Sequence, residues 1–575
     1  MVPQNPLGLG TGDLVLLAIA GLLVLIGLAW RAPLETYARK LAGRTAWSML
    51  FFFLLPILLR LLLLPNHPVP TPDVYDEFGH LLMADTLRHF RLANPPHALP
   101  QFFETFFVLQ EPTYSSIYPP GSGLLLAIGW MLFGTPWAGV LLGVGAFCAL
   151  CYWMLRAWTT PGWAFAGGLL AVIQFGPLNS WANNYWGGGA AAAAGCLVFG
   201  SLPRLLEKPR EKPRTRDAVL LGVGLGMHLL TRQFESLFLF ASVALFFAPL
   251  LRHRAELRPL WKTLPDTAIV LVPFVALILF QNRAVTGSWT MLPEALSQSQ
   301  YGVPAALTFE PQATPHRDLT PQQEMDYRMQ RGFRGEKPET VTTYLLRLEY
   351  RVRYYRFFFL APLYLALVAF LFRLREYRFL WVAMTAALFA LGTNFFPAFQ
   401  VHYVAGIACL FVLMTVTGLE TLGRVTIGGL PAGPDAMRLV AGLCAAHFLF
   451  WYGLHLVDRW DVSTAMRPYE TWDAINHGNP ERRVYVNRKL AAIPGKLLVF
   501  VRYLPRHIFQ DEWVYNAADI DGARVVFARD LGTEENEQLR QYFPDRAVWL
   551  LEPDYPAPQV TRFPRPIPSP FENPN

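Results

Sequence analysis

The run from Asp73 to His80 brings together four side chains that can transfer protons or bind cations: Asp73, Asp76, Glu77 and His80. A carboxylate near an apolar boundary is costly unless it is used or paired, and partial desolvation moves its pKa toward that of a general base. The carboxylates of Asp76 and Glu77 are equally suited to a divalent cation, which prefers oxygen ligands. A structural alternative is that Asp76 caps the following helix. The residues alone leave base, metal ligand and cap open.

A second candidate stands at the end of an apolar run, where Arg232 is followed by Glu235. A guanidinium offers a planar fork of donors that suits an anion such as a phosphate, so Arg232 is a candidate for binding an anionic group. Glu235 lies one helical turn later if the helix continues. The alternative is a helix-terminal pair whose side chains reach the membrane interface.

Polar and aromatic residues mark two further turns between apolar runs. His402 and Tyr403 begin one run, and a histidine there can hydrogen-bond phosphate or sugar. Asn184 precedes a tyrosine and a tryptophan, which suit the faces of a sugar. Both groups are also common in the aromatic belt of membrane proteins. The glycines at 187–189 and the alanines after them predict close helix packing instead of a phosphate loop.

The elements that must position these residues are membrane helices. Of the 575 residues, 53% are hydrophobic and only 16% are charged, and stretches between Leu14 and Val457 are almost free of charge. About 20 apolar residues are needed to cross a bilayer. We predict an all-α polytopic bundle of about twelve spans, at 14–30, 47–64, 137–155, 161–179, 187–202, 217–232, 235–251, 265–282, 354–373, 379–396, 401–420 and 438–457. The short run Gly121–Gly134, which follows two prolines, is predicted to be a re-entrant or interfacial helix.

Lysine and arginine predict the orientation of the spans, because cytoplasmic loops are enriched in both residues. Threading twelve spans places every basic cluster on one side, which must then be the cytoplasm. The clusters are Arg31, Arg39, Lys40 and Arg44; Arg204, Lys208, Arg210, Lys212, Arg214 and Arg216; Arg252, Arg254, Arg258 and Lys262; and Arg373, Arg375 and Arg378. Both termini and the loops 65–120 and 283–353 are then external. The net charge of +7 follows this topology and does not indicate nucleic-acid binding.

The last part of the chain has the composition of a soluble domain. Short apolar runs at Leu497–Tyr503, Arg524–Ala528 and Ala547–Leu551 alternate with helix-like stretches such as Glu534–Tyr542, which predicts a small α/β domain with a largely parallel sheet. No glycine-rich phosphate fingerprint follows a strand, so a binding or structural role is expected. The predicted domains are a first span and cytoplasmic loop (1–46), a transmembrane domain (47–457) and an external domain (458–575).

The order of these features resembles the GT-C superfamily of polyprenyl-phosphate-dependent glycosyltransferases, which includes protein O-mannosyltransferases and aminoarabinose transferases. A span is followed by an external loop that opens with Asp76-Glu77-Phe-Gly-His80, then by Tyr118-Pro-Pro-Gly-Ser-Gly and a charge-free bundle, over roughly residues 47–420. The chain is also similar to bacterial membrane proteins assigned as glycosyltransferases, in four motifs: Asn184-Tyr-Trp-Gly-Gly, Thr231-Arg-Gln-Phe-Glu235, Val285-Thr-Gly-Ser and Asp511-Glu-Trp-Val-Tyr-Asn516. An extra span before the acidic loop and the lack of a recognisable β-trefoil separate it from the O-mannosyltransferases.

The resemblance implies an inverting glycosyltransferase of the bacterial cytoplasmic membrane, acting at the periplasmic face. Its donor would be a polyprenyl-phosphate sugar, so membrane lipid but no nucleotide cofactor is expected, and a divalent cation stays open. By this resemblance Asp76 would occupy the family's catalytic acidic position, with Glu77 adjacent, and Arg232 would be the best candidate for the leaving phosphate. Sugar and acceptor cannot be carried over. The rivals are a flippase for lipid-linked saccharides, which predicts inverted repeats and ionisable residues near the midplane, and a non-catalytic scaffold.

Overall fold

The computed structural model describes residues 9–207, 214–252, 254–335, 338–457 and 481–563. Three members of the predicted basic cluster, Lys208, Arg210 and Lys212, lie outside these residues. So does the segment 458–480, with which the predicted external domain begins.

Helices make up most of the described chain. They are α1 (Thr11–Ala29), α2 (Arg31–Ala42), α3 (Thr45–Leu62), α4 (Tyr75–Arg88), α5 (Pro120–Phe133), α6 (Pro136–Leu155), α7 (Pro161–Phe175), α8 (Ser180–Asn183), α9 (Gly189–Leu206), α10 (Thr215–Thr231), α11 (Gln233–Phe247), α12 (Arg254–Thr286), α13 (Pro293–Tyr301), α14 (Pro321–Arg334), α15 (Val341–Val352), α16 (Tyr364–Phe370), α17 (Tyr377–Thr393), α18 (Ala408–Leu422), α19 (Gly433–Leu456), α20 (Glu481–Ala492) and α21 (Thr533–Tyr542). Short 3₁₀ segments span Pro100–Phe103, Ala248–Arg252, Arg353–Phe358, Ala361–Leu363, Leu371–Arg375 and Val401–Ile407. Proline opens α5, α6, α7, α13 and α14, where its missing N–H would have no helical partner and its fixed φ suits the first turn.

The protein is a multi-pass integral membrane protein. Among the described residues, eight helical segments are long and apolar enough to cross a membrane: Thr11–Ala29, Thr45–Leu62, Pro136–Leu155, Gly189–Leu206, Gln233–Leu251, Trp261–Thr286, Val401–Leu422 and Gly433–Leu456. A bent pair, Val341–Phe358 with Ala361–Arg375, makes a ninth if it counts as one span. Helices α7 and α17 are apolar but shorter. The predicted positions are therefore helical, while eight or nine segments meet the criteria for a span.

One of the predicted membrane spans is broken in the structure. A continuous span was predicted over 354–373, but the chain bends there by 107° between Phe358 and Ala361. Gly121–Gly134, predicted to be re-entrant or interfacial, forms the single 14-residue helix α5. The bend follows the aromatic run at 357–359 and precedes Pro362, whose ring disfavours helical geometry in the residue before it.

The described chain forms two compact units. The helical unit comprises Met1–Pro70, Leu132–Leu277 and Glu339–His477, and the sheet unit comprises Thr71–Met131, Ile278–Pro338 and Gly478–Asn575. Close packing in the helical unit depends on small residues, as predicted for the run after 187–189. Alanines 191–194 are buried, and a Cβ at Gly195 would lie 1.7 Å from the carbonyl oxygen of Gly406.

The sheet unit contains two sheets. A two-stranded antiparallel pair joins β1 (Val108–Leu109) to β2 (Ser115–Ser116). The larger sheet has the order β4-β3-β5-β6, from β3 (Leu497–Val501), β4 (Val525–Arg529), β5 (Ala547–Glu552) and β6 (Gln559–Arg562). Strand β3 is parallel to β4 and to β5, and only β6 is antiparallel. The predicted small α/β domain with a largely parallel sheet is confirmed.

The two faces of this sheet bury different partners, because alternate side chains of a strand point to opposite sides. Leu497, Val499 and Val501 pack with residues of α20 and with Trp513. Leu498 and Phe500 pack instead with Leu82 of α4 and with aromatic residues at 102–103. The sheet and the acidic helix α4 therefore share one hydrophobic core.

Candidate active site

The helix α4 begins at Tyr75 and carries the acidic motif in its first turn. Glu77 is buried, and its Oε2 accepts hydrogen bonds from the backbone N–H groups of Asp73 (2.8 Å) and Val74 (3.3 Å). These N–H groups precede the helix, where a glutamate at the third position caps the start. The capping role that the sequence allowed for Asp76 therefore belongs to Glu77.

Asp76 is half-buried, and the hydroxyl of Tyr118 donates a hydrogen bond to its Oδ1. The Tyr118 ring stacks on His80 at 4.1 Å between ring centroids, and its backbone oxygen accepts from the side chain of Gln281. Residue 79, just before His80, must be glycine, because a Cβ at this position would lie 2.8 Å from Tyr118 Cε2. The Asp-Glu-Phe-Gly-His order thus places a tyrosine against the carboxylate.

Phe107 supports the same arrangement from a strained conformation. Its φ is 57°, in the left-handed region that non-glycine residues rarely adopt and that costs on the order of 1 kcal/mol. The ring contacts Tyr75 edge-to-face at 4.9 Å and Tyr118 at 6.0 Å. Both neighbours of Asp76, one in sequence and one by hydrogen bond, are thereby held by one aromatic residue.

Asp326, which the sequence analysis did not single out, is the second carboxylate of this region. It is fully buried on α14, where Oδ2 accepts from Gln330 (2.9 Å) and Oδ1 has no hydrogen-bond partner within the described chain. The pKa of Asp326 is raised to about 7, chiefly by burial; the hydrogen bond from Gln330 opposes this shift, and the negative charge of Asp76 adds to it. The capping box at Thr320 signals the start of α14 but not the burial of Asp326.

Asp73 lies just before the acidic helix. Burial raises the pKa of Asp73 above its ordinary value; the positive charge of Arg483 opposes this shift, and the negative charge of Asp511 adds to it. The structure thus brings Asp73, Asp76, Glu77 and His80 together at one helix start, as their spacing predicted.

In the helical unit, Arg232 forms the junction between α10 and α11. Its guanidinium lies 5.0 Å from the centroid of the Tyr403 ring, and Nη1 is 3.9 Å from Glu235 Oε1. Glu235 is buried, and this Oε1 atom has no hydrogen-bond partner among the described residues. The ion pair is therefore long, and Arg232, with 21% of its side chain exposed, keeps donor capacity for an anion.

The other polar candidates of the helical unit extend this group. The His402 ring lies 5.3 Å from the Trp186 ring and 5.0 Å from the Tyr403 ring. Asn184 has a buried Oδ1 without a hydrogen-bond partner in the described part of the chain. The sequence treated Arg232 with Glu235 and His402 with Tyr403 as separate candidates, and the contact between Arg232 and Tyr403 brings the two pairs together.

Arg60, which the sequence analysis did not mention, gives a structural role to Asn183, the residue before Asn184. The buried Arg60 donates to the Asn183 side chain (2.6 Å) and to the carbonyl oxygens of His67 and Pro68.

In the described ranges, no group of three or more His, Cys, Asp or Glu side chains is placed to hold a metal ion.

Comparisons with known proteins give structural likeness only. No protein-family model matches the chain, and no curated protein matches it. ArnT from Cupriavidus metallidurans in the apo state is 11% identical, with a TM-score of 0.49 over 89% of this chain and 93% of ArnT. ArnT bound to undecaprenyl phosphate is 13% identical, with a TM-score of 0.45 over 88% and 93%. The apo oligosaccharyltransferase of Archaeoglobus fulgidus is 13% identical, with a TM-score of 0.43 over 80% of this chain and 62% of that enzyme.

The chain is thus structurally similar, at low sequence identity, to ArnT and to the archaeal oligosaccharyltransferase. Because every TM-score is below 0.5, the likeness assigns no residue and no substrate.

Proposed function

We propose that this chain is an inverting glycosyltransferase that moves a sugar from a polyprenyl-phosphate carrier to an acceptor hydroxyl. The reaction takes place at the periplasmic face of a bacterial cytoplasmic membrane. The chain crosses this membrane about twelve times, and both of its termini are external. The observation that carries the proposal is the state of Asp76. It is half-buried and held by Tyr118, and it is not needed as a helix cap because Glu77 fills that role.

Asp76 is assigned the role of general base. It takes the proton from the acceptor hydroxyl while that oxygen forms its bond to the anomeric carbon of the donor. The bond from this carbon to the phosphate oxygen breaks at the same time, and the phosphate leaves with the bonding electrons from the opposite face. One displacement inverts the anomeric configuration. Tyr118 and Phe107 keep the carboxylate in place, which limits the reorganisation that the step requires.

Arg232 is assigned the carrier phosphate. A guanidinium stabilises the charge that grows on a leaving phosphate, and the long contact to Glu235 leaves its donors available. The Tyr403 ring lies beside it, and the His402 ring contacts the Tyr403 ring; both rings suit a sugar or a phosphate oxygen. Asn184, whose amide oxygen has no hydrogen-bond partner among the described residues, is assigned to a sugar hydroxyl.

The experiment uses the full chain in liposomes with a panel of radiolabelled polyprenyl-phosphate sugars and crude envelope acceptors. Transfer of label to an acceptor, with inversion at the anomeric carbon of the isolated product, supports the proposal. Retention of configuration would exclude the single displacement. Movement of the labelled donor across the bilayer without transfer would replace the enzyme by a flippase.

A further inference from the structure

The C-terminal loop from Asp511 to Ala518 lies directly against the acidic helix α4. The Tyr515 ring stacks on Phe78 with 4.1 Å between centroids and an interplanar angle of 2°. Phe78 is two residues from Asp76 on the same helical turn. A stacked aromatic pair of this kind is more favourable than its buried area alone, so it favours one position of the helix start against the loop.

Arg483 of α20 also contacts the Phe78 ring. Its guanidinium carbon is 4.7 Å from the Phe78 centroid and 4.3 Å from the Trp513 centroid, and its Nη2 donates to the backbone oxygen of Glu512 (2.6 Å). The side chain is buried. A desolvated cation between two rings is a strong contact, so the loop and the helix are joined by more than apolar packing.

The far end of α4 is tied to the same loop. Asp85 Oδ2 accepts from the backbone N–H of Ala518 (2.7 Å), while Oδ1 accepts from Arg88 (2.5 Å). The Tyr114 hydroxyl donates to the backbone oxygen of Asn516 (3.1 Å). Asn516 is itself fixed to β4, because its side chain bonds both the N–H and the carbonyl oxygen of Phe527.

A buried ion pair fixes the loop and reaches a second helix. Glu512 is fully buried and accepts from Arg529 Nη2 (2.7 Å) and from the N–H groups of Trp513 (2.9 Å) and Val514 (3.0 Å). Arg529 also donates to the side chain of Gln322 (2.7 Å), one turn before Asp326 on α14. Breaking such a pair leaves a buried charge without compensation, so the loop has little freedom to move.

We propose that the loop Asp511–Ala518, anchored on the sheet, positions the start of α4 and so orients the carboxylate of Asp76. Tyr515 and Arg483 are positioning residues, because they contact Phe78 and act through α4. The catalytic part of this statement rests on the proposed glycosyl transfer, whereas the mechanical part concerns α4 alone. Small displacements of a catalytic group cost up to about 10²-fold in rate.

The test compares Tyr515→Ala with Tyr515→Phe, which keeps the ring, in the full chain reconstituted in lipid. Hydrogen exchange of the backbone amides at 75–88 is measured by mass spectrometry. Tyr515→Ala is expected to speed this exchange on the order of tenfold, the factor a stacked ring pair contributes, while Tyr515→Phe leaves it unchanged. Trp549→Leu is the matched control, because it weakens the opposite face of the sheet, away from the face that packs on α4.

Sugar transfer gives the second measurement. Tyr515→Ala should lower kcat tenfold or more and change KM for the donor less than twofold, with activity restored in Tyr515→Phe. Unchanged exchange at 75–88 in Tyr515→Ala would overturn the proposal, as would equal acceleration in Trp549→Leu. If wild type transfers no sugar, the proposed function fails, and the exchange result still decides whether the loop positions α4.

Discussion

Replacing Asp326 by asparagine should make the protein more stable, increasingly so as the pH rises. Asp326 is fully buried, and its pKa is raised from 3.8 to about 7 by burial, with the charge of Asp76 adding to the shift. Asparagine imitates the protonated acid, because its side-chain oxygen can still accept the hydrogen bond from Gln330. It removes the charge that burial opposes.

The magnitude follows from the difference in proton binding between the folded and unfolded chains. Below pH 3.8 both states hold the proton, and the wild-type carboxyl has no charge to bury. Between pH 3.8 and about 7 the unfolded chain loses the proton first, so folded stability falls by about 1.4 kcal/mol for each pH unit. The advantage of Asp326→Asn should therefore grow by roughly 3 kcal/mol from pH 5 to pH 8.

The assay is thermal unfolding of wild type and variant in detergent, followed by tryptophan fluorescence from pH 5 to pH 8. Asp318→Asn is the matched control, because it removes an exposed carboxylate from the same segment and so takes away no buried charge. A stability difference for Asp326→Asn that is constant across this range would refute the raised pKa. Destabilisation at every pH would show that the ionised form is the one the fold requires.

The remaining predictions concern the acidic helix and the arginine. Gly79→Ala places a Cβ 2.8 Å from Tyr118 Cε2, so sugar transfer should fall by at least about tenfold while the protein still inserts, as measured in membranes with equal protein. Glu77→Gln keeps an oxygen that accepts the cap hydrogen bonds and should retain activity, whereas Glu77→Ala should lose about 1 kcal/mol of stability; inactive Glu77→Gln at wild-type stability would make Glu77 catalytic. Arg232→Lys loses the planar fork beside Tyr403, and we expect the donor KM to rise about tenfold, with a larger rise in Arg232→Ala.

Features with a local cause were predictable from the sequence. The apolar runs at Leu497 and Ala547 became parallel strands because strand formation depends on short β-favouring runs between breakers. The acidic motif was expected at a helix start, and α4 begins at Tyr75. The assignment of the cap was not predictable, because Asp76 and Glu77 both suit a first turn and only the backbone geometry selects Glu77.

Features that depend on distant contacts were not predictable. Asp326 stands in a polar segment where carboxylates are usually solvated, and only the packing of α14 buries it. The loop at 511–518 was expected to belong to a binding or structural appendage. Its stacking on Phe78 requires segments that are more than four hundred residues apart in the chain to meet in one unit.

The role of Asp76 as general base is tested most directly by single-turnover sugar transfer. Wild type, Asp76→Asn and Asp318→Asn are compared in the same liposomes, after equal insertion is verified. A general base contributes about 10²–10⁴-fold, so Asp76→Asn should lose at least about 10²-fold in the rate of transfer, with the donor still bound. Asp318→Asn should match wild type. Equal rates for Asp76→Asn and wild type would show that Asp76 is not the general base of the transfer.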